Sequence, residues 1–134
     1  MPAFSKSSTD RLSTCHPDLQ RLFNEVVKRY DCTIIEGHRT DERQAQLFTE
    51  GKTKIRKGGK HTFIPSLAVD VMPYPVDWKD DKTQRERRIH FAGIVKGVAH
   101  TMGIRIRWGG DWNQNDHIES GDDWDMPHFE LLEG

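Results

Sequence analysis

The stretch "LAVDVM", Leu67 to Met72, puts a carboxylate in the middle of an apolar, strand-like run. Alternate residues of a strand face opposite sides. Leu67, Val69 and Val71 therefore share one face, and Ala68 and Asp70 share the other. A core can take the first set; the second needs a chemical reason to be there. "PHFELL" near the C-terminus behaves alike, with Phe129 and Leu131 on one side and His128 and Glu130 on the other. Two strands of this kind predict a sheet with one face on a core and one face that carries polar groups.

The remaining segments say what packs on such a sheet. In "HPDLQRLFNEVVKRY", Leu19, Leu22, Phe23, Val26, Val27 and Tyr30 recur with helical spacing. Pro17 suits the first turn of that helix. "CTIIEG" reads as a short strand ending at Gly37. A second helix is predicted from the N-cap Thr40 to the stop at Gly51. Residues 52–66 read as loop. Residues 82–102 read as a helix with Ile94, Val95, Val98 and Met102 in register and Gly103 as its stop. "IRIRW" alternates as a half-buried strand, and a polar loop runs from Gly109 to Asp123. Helices and strands are mixed without a regular βαβ repeat. That predicts an α+β fold, a small and mainly antiparallel sheet with flanking helices. A length of 134 residues suits one domain over 1–134, with no room for a separate binding domain.

Bulk properties exclude several classes. A formal net charge of −1 gives no electrostatic case for nucleic-acid binding. The basic run Lys52–Lys60 reads as a solvated loop. No apolar run approaches the ~20 residues of a membrane span, and the N-terminus has no secretory pattern. The expectation is a monomer made in the cytoplasm. Cys15 and Cys32 form no CxxC pair and read as free thiols. HExxH, P-loop, GxSxG and GxGxxG motifs are absent.

The polar faces suggest a metal. His61 leads into the first strand, Asp70 lies on it, and His128 lies on the second. Two imidazoles and a carboxylate match a catalytic zinc site with a fourth position left open. The plainer alternative pairs Asp70 with a Lys or Arg and leaves the histidines on the surface. Asp125, three residues before His128, is placed to act as a general base; a turn role before Met126-Pro127 is the alternative. His117 is the best substitute ligand should His61 fall elsewhere. In "DWNQNDHIE", Asp111, Asn113 and Asn115 recur at alternate positions with Glu119 beyond. Oxygen ligands in that pattern suit Ca²⁺ as a regulator, and a plain solvated loop is the other reading.

These residues resemble a known pattern. The metallopeptidases that include D-Ala-D-Ala carboxypeptidases and the phage L-alanyl-D-glutamate endopeptidases carry Ser-x-His, Gly-x-Ala-x-Asp, and Glu or Asp-x-x-His. The resemblance implies His61, Asp70 and His128 as Zn²⁺ ligands and Asp125 as catalytic base. An Asp there looks more like the phage endolysin branch. "GHRT" resembles the family's Gly-x-Arg-Ser/Thr, which implies Arg39 as the cation facing the oxyanion, and Gln46 as a substrate-binding residue. "GGDWN" and "HFEL" are similar to endolysin segments too, so the likeness runs from about Leu19 to Leu131. The sequence departs from the pattern between His61 and Asp70, where eight residues stand in place of the usual six. Gly59 and Ser66 replace the motif's Ser and first Gly. The resemblance implies hydrolysis of peptidoglycan stem peptides, most simply at L-Ala–D-Glu, with terminal D-Ala-D-Ala as the alternative bond. A non-catalytic wall-binding or virion module is the alternative of another class. It also implies accumulation in the host cytoplasm, release by a holin-type partner, and action on the wall in the periplasm.

Overall fold

In the computed structural model, which describes residues 2–51, 59–119 and 125–132, the elements follow from their caps and apolar spacing. Helix α1 is Lys6–Leu12 and α2 is Pro17–Arg29. The His16 ring accepts the Asp18 N–H at 3.0 Å, and Pro17 opens the first turn of α2. Its Leu19, Leu22, Phe23, Val26 and Val27 are all buried. Tyr30 stands just past the end as the cap, in extended conformation. Strand β1 is Cys32–Glu36 and α3 is Asp41–Thr49, with the Thr40 hydroxyl accepting the Arg43 N–H. Strand β2 is Ala68–Pro73. Helix α4, Lys82–Met102, starts at the Asp81 cap and stops at Gly103, whose φ of +71° favours glycine. Strands β3, Ile106–Trp108, and β4, His128–Leu131, complete the sheet.

The four strands lie in the order β1-β2-β4-β3, and every pairing is antiparallel. The α+β expectation holds. Asp70 lies opposite His128, Val69 opposite Phe129 and Ala68 opposite Glu130. One face therefore carries Ile34, Val69, Val71, Trp108, Phe129 and Leu131 into the core. There Phe129 meets Phe23 edge-on at 5.5 Å and Phe91 at 6.1 Å. Helices α2 and α4 supply the opposing surface, as amphipathic helices do. The buried stripe of α4 is Phe91, Ala92, Val95, Val98 and Ala99. It is rotated from the predicted register, so that Ile94 and Met102 pack only at its margin.

Three features depart from the sequence expectation. The two central strands are buried on both faces, not half-buried: Ala68, Met72, His128 and Glu130 are all below 8% exposed. Helix α1 is unforeseen, since only Ser8 and Leu12 of it are buried. It closes the β1 edge with side chains: Ser8 Oγ accepts the Ile34 N–H at 3.1 Å, and Arg11 donates to the Ile34 carbonyl at 3.0 Å. A one-turn 3₁₀ helix, Lys60–Thr62, occupies the end of the predicted 52–66 loop. Most of the basic run Lys52–Lys60, and the tail of the 109–123 loop, lie outside the described residues. Among the described residues no helix is long and apolar enough to cross a membrane.

Both cysteines are buried and unpaired. Burial pushes the Cys15 thiol up to about 11 and the Cys32 thiol up to about 12. A thiolate is the reactive form, so neither should act as a nucleophile. Ellman's reagent is expected to find no reactive thiol in the native protein and two in denaturant. A thiol that titrates rapidly under native conditions would contradict this packing.

Candidate metal centre

The antiparallel register brings the polar residues into one row. On the face opposite the core, Glu36, Asp70 and His128 stand side by side, with Arg107 and Glu130 paired one step along. Glu36 joins the row through an irregularity in β1: Ile34 pairs with Val71, but Glu36, not Ile35, pairs with Asp70. A bulge of this kind re-aims every side chain beyond it.

His61 reaches the row from the 3₁₀ turn. Its carbonyl accepts the Arg39 N–H at 2.7 Å, and the Leu67 N–H bonds to the Lys60 carbonyl at 3.0 Å. The two extra residues before Asp70 do not displace it. Ser66 is tied to the Thr14 carbonyl and to the His16 N–H, while Phe63, Ile64 and Pro65 bulge outward and are exposed.

The three donor atoms of His61, Asp70 and His128 lie within 4.8 Å of one another. His61 Nε2 is 3.3 Å and His128 Nδ1 is 3.5 Å from Asp70 Oδ1. Ligands about 2.1 Å from a tetrahedral ion stand about 3.4 Å apart. The opposite atom of each ligand is held. His61 Nδ1 lies 2.7 Å from the Gly37 carbonyl, which can only accept, so that nitrogen carries the proton. His128 Nε2 lies 2.8 Å from Glu130 Oε1 and donates to it. Asp70 Oδ2 accepts from Arg39 at 2.8 Å. Two imidazole lone pairs and a carboxylate oxygen are thus aimed at one point, with outer partners that fix each ring. The group can hold a metal ion.

Electrostatics agree. Burial alone would raise the Asp70 pKa, but the charges and hydrogen bonds of His61 and His128 hold it well below the usual carboxylate range. Burial works against charge on His128, yet its bonds to Asp70 and Glu130 push it up to about 9. With protein groups alone, the Nδ1 position then carries a proton at neutral pH. A divalent ion held there would displace that proton, so acid should compete with metal. Glu130 is lowered to about 2: burial opposes its charge, but His128, Arg107 and Lys60 outweigh this.

Asp125 approaches from the turn before β4, with Oδ2 3.8 Å from His128 Nδ1. Burial, and then the Asp70 charge, raise it to about 6. Gly109 permits this approach, because a Cβ there would lie 1.9 Å from the Asp125 carbonyl oxygen. Arg39 bonds Asp70, Glu36 and Gln44 Oε1, so it braces the row as well as facing the adjoining cleft. Trp112 lies over His128 with ring centroids 5.2 Å apart.

A family model for the phage L-alanyl-D-glutamate peptidase matches residues 2–132. The chain belongs to that family. It is 30% identical over 141 residues to the L-alanyl-D-glutamate peptidase of Escherichia phage T5, covering 96% of this chain and 97% of that enzyme. It is also similar to the crystal structure of the Serratia marcescens L-Ala D-Glu endopeptidase ChiX. There the TM-score is 0.73 at 27% identity, over 96% of this chain and 89% of that one.

Other expected residues fall elsewhere. Gln46 is exposed on α3 and donates to Glu50. Gln44, two residues earlier and buried, is the one that reaches Arg39. Its helical spacing to buried Leu47 was the available signal. Glu130 was readable as a site-face residue from its position two after His128; Glu36 was not, because the bulge inverts its side. His117 is exposed and far from the role of substitute ligand, its N–H bonded to Asn115. In the 109–119 loop, Asn113 and Asn115 both donate to Glu119, and their carbonyl oxygens cap backbone N–H groups of Asn115 and His117. Asp111 accepts the Asp116 N–H with Oδ2, while its buried Oδ1 has no partner among the described residues.

The outer carboxylate gives a direct test. Replacing Glu130 with Gln keeps shape but removes the charge that orients His128 and raises its basicity. Metal affinity should fall about 10–100-fold, read by competition with a chromogenic chelator. His128→Ala should abolish stoichiometric binding. Unchanged affinity in both variants would place the ion elsewhere.

Proposed function

We propose that the chain is a zinc endopeptidase that cuts the L-Ala–D-Glu bond of peptidoglycan stem peptides. The observation that carries this is the convergence of His61 Nε2, Asp70 Oδ1 and His128 Nδ1 beside Asp125. A set of two nitrogens and one oxygen that leaves a fourth position open suits catalytic zinc. Held there, the ion would supply a charge that acidifies a water and polarises the scissile carbonyl. Asp125 Oδ2 takes the proton of the attacking water and returns it to the leaving amine. Arg39 holds Asp70 in place and presents positive charge to the oxygen that becomes negative. Burial of the surrounding row keeps bulk water from screening these charges.

Cleft shape supports an endopeptidase over a carboxypeptidase. One recess of about 450 Å³ includes Asp70, Arg39, Trp78 and Asp125. A second, of about 390 Å³, shares Trp78, Asp125 and Pro127 with the first. Two recesses that share Asp125 offer more room than a terminal residue needs, which suits a peptide that continues past the cut. A purely wall-binding module has no use for Asp125 and Arg39 together at the metal group. The same reading carries the expectations of zinc as resident metal, action on the wall after release by a holin-type partner, and a single catalytic domain.

A second ion is a further part of the reading. Ca²⁺ at the loop of Asp111, Asn113, Asn115 and Glu119 is supported by the buried Asp111 Oδ1, which has no partner among the described residues, while the hydrogen bonds within the loop favour a plain solvated connection. The loop joins β3 to the segment that bears Asp125 and His128, so ordering it would steady both.

Mass analysis of digested muropeptides should show new D-Glu N-termini with the metal-loaded protein. Asp125→Asn should keep metal and fold but lose at least ~10²-fold in rate, the low end for a general base. A folded Asp125→Asn protein that still lyses walls at wild-type rate would remove the base assignment. Calcium should raise the melting temperature by binding the folded state, about 2.7 kcal/mol at 100 Kd, and Asp111→Ala should cancel the effect. No response of the wild type to millimolar calcium leaves the loop a solvated connection.

A further inference from the structure

We propose that Arg43 determines specificity: its guanidinium binds the free carboxylate of the D-glutamate whose amide is cut. This rests on the L-Ala–D-Glu reading above and adds the group that recognises the substrate. A glutamate bonded through its nitrogen to L-Ala has two carboxyl groups. Continuing the chain uses one, so the other remains an anion a few bonds from the scissile amide. A cleft for this bond needs a cation near the metal group, beyond the one that braces it.

Two arginines line the recess beside Asp70, and they are not equivalent. Arg39 is committed: its side chain is 11% exposed, and it bonds Glu36, Gln44 and Asp70. Arg43 is 45% exposed and touches Glu36 Oε2 at 3.4 Å, a longer contact than the 2.8 Å from Arg39 to Asp70. It lies in the first turn of α3, four residues before Leu47, so both project from one helix face into the same recess. Glu36 lies between the two guanidinium groups and steers Arg43 toward the row without burying it. A planar fork can accept a second carboxylate in two-point fashion beside Glu36.

Charge favours an anion there. Glu36 and Asp70 balance Arg39 and Arg43. A divalent ion with ionised Asp125 then leaves the recess positive, which attracts an acidic peptide. The second recess offers a weaker case. Its Arg88 is tied to the carbonyls of Asp77 and Lys79 at 3.0 and 2.9 Å, where it holds the turn that carries Trp78; its Arg85 also has a partner, and neither lines the recess with Asp70.

The test uses two synthetic stem peptides that differ only in the glutamate's free carboxylate, left as the acid in one and amidated in the other. Wild-type protein with bound zinc should prefer the acid by at least about tenfold in kcat/KM, the size expected for a charged hydrogen bond. In Arg43→Gln the ratio should collapse to near one, with metal content and circular dichroism as in the wild type. Arg43→Lys should keep part of the preference. The cleaved product that begins with D-Glu should also bind wild type at least about tenfold more tightly than Arg43→Gln. Equal cutting of both peptides by wild type, or an undiminished preference in Arg43→Gln, overturns the assignment of Arg43 and leaves the bond specificity standing. Failure of the zinc-loaded wild type to cut either peptide overturns the L-Ala–D-Glu reading, and Arg43's role with it.

Discussion

Everything at this site depends on one cross-strand pair, Asp70 opposite His128. A carboxylate on a central strand is expensive to bury, by several kcal/mol if left alone. Here each of its oxygens has work. Oδ1 faces two imidazoles, and Oδ2 is held by Arg39. The cost is thus offset by a network that also prevents Asp70 from turning away. Because the pair belongs to the β2–β4 ladder, its geometry is as rigid as the sheet, and the core packed behind it through Val69 and Phe129 sets its position. Stability of the core and precision of the metal group are one property in this chain.

Around that pair the protein builds outward in layers of decreasing rigidity. Gly37 and Glu130 orient the rings, and Arg107 and Lys60 in turn hold Glu130. Asp125 comes from a turn instead of a strand, attached by backbone bonds to Gly109 and His128. In the proposed reaction that order would keep the donor atoms fixed while Asp125 exchanges a proton with two different partners. Arg43, proposed to meet the substrate, is more exposed than Arg39, Asp70 or Asp125.

Much of this was legible in the sequence because period-two alternation reports faces directly. Asp70, His128 and Glu130 could be placed on one side of a sheet from their spacing alone, and the helix spanning Leu19 to Val27 likewise showed its buried stripe. The failures share a cause: they depend on contacts that spacing does not encode. Helix α1 has almost no apolar stripe, since its task is to bond the β1 edge through Ser8 and Arg11. Glu36 changes side through a single unpaired residue. Gln44 was passed over for Gln46, although only the former has helical spacing to Leu47. The polar faces of β2 and β4 looked solvent-facing because the cover over them, His61's turn and Trp112, comes from segments distant in sequence or irregular in form.

The outward bulge at Phe63–Pro65 carries a separate lesson about how such a site can vary. Its two ends are anchored independently, His61 through Gly37 and Arg39, and Ser66 through Thr14 and His16. Chain inserted between two fixed posts has nowhere to go but into solvent, and lengthening a surface loop costs little. Spacing between a first and second metal ligand is therefore a poor yardstick of whether the site survives. The segment is built as a tolerance joint: residues added or removed there would change what the tip displays to the surroundings while the donor atoms stay in place.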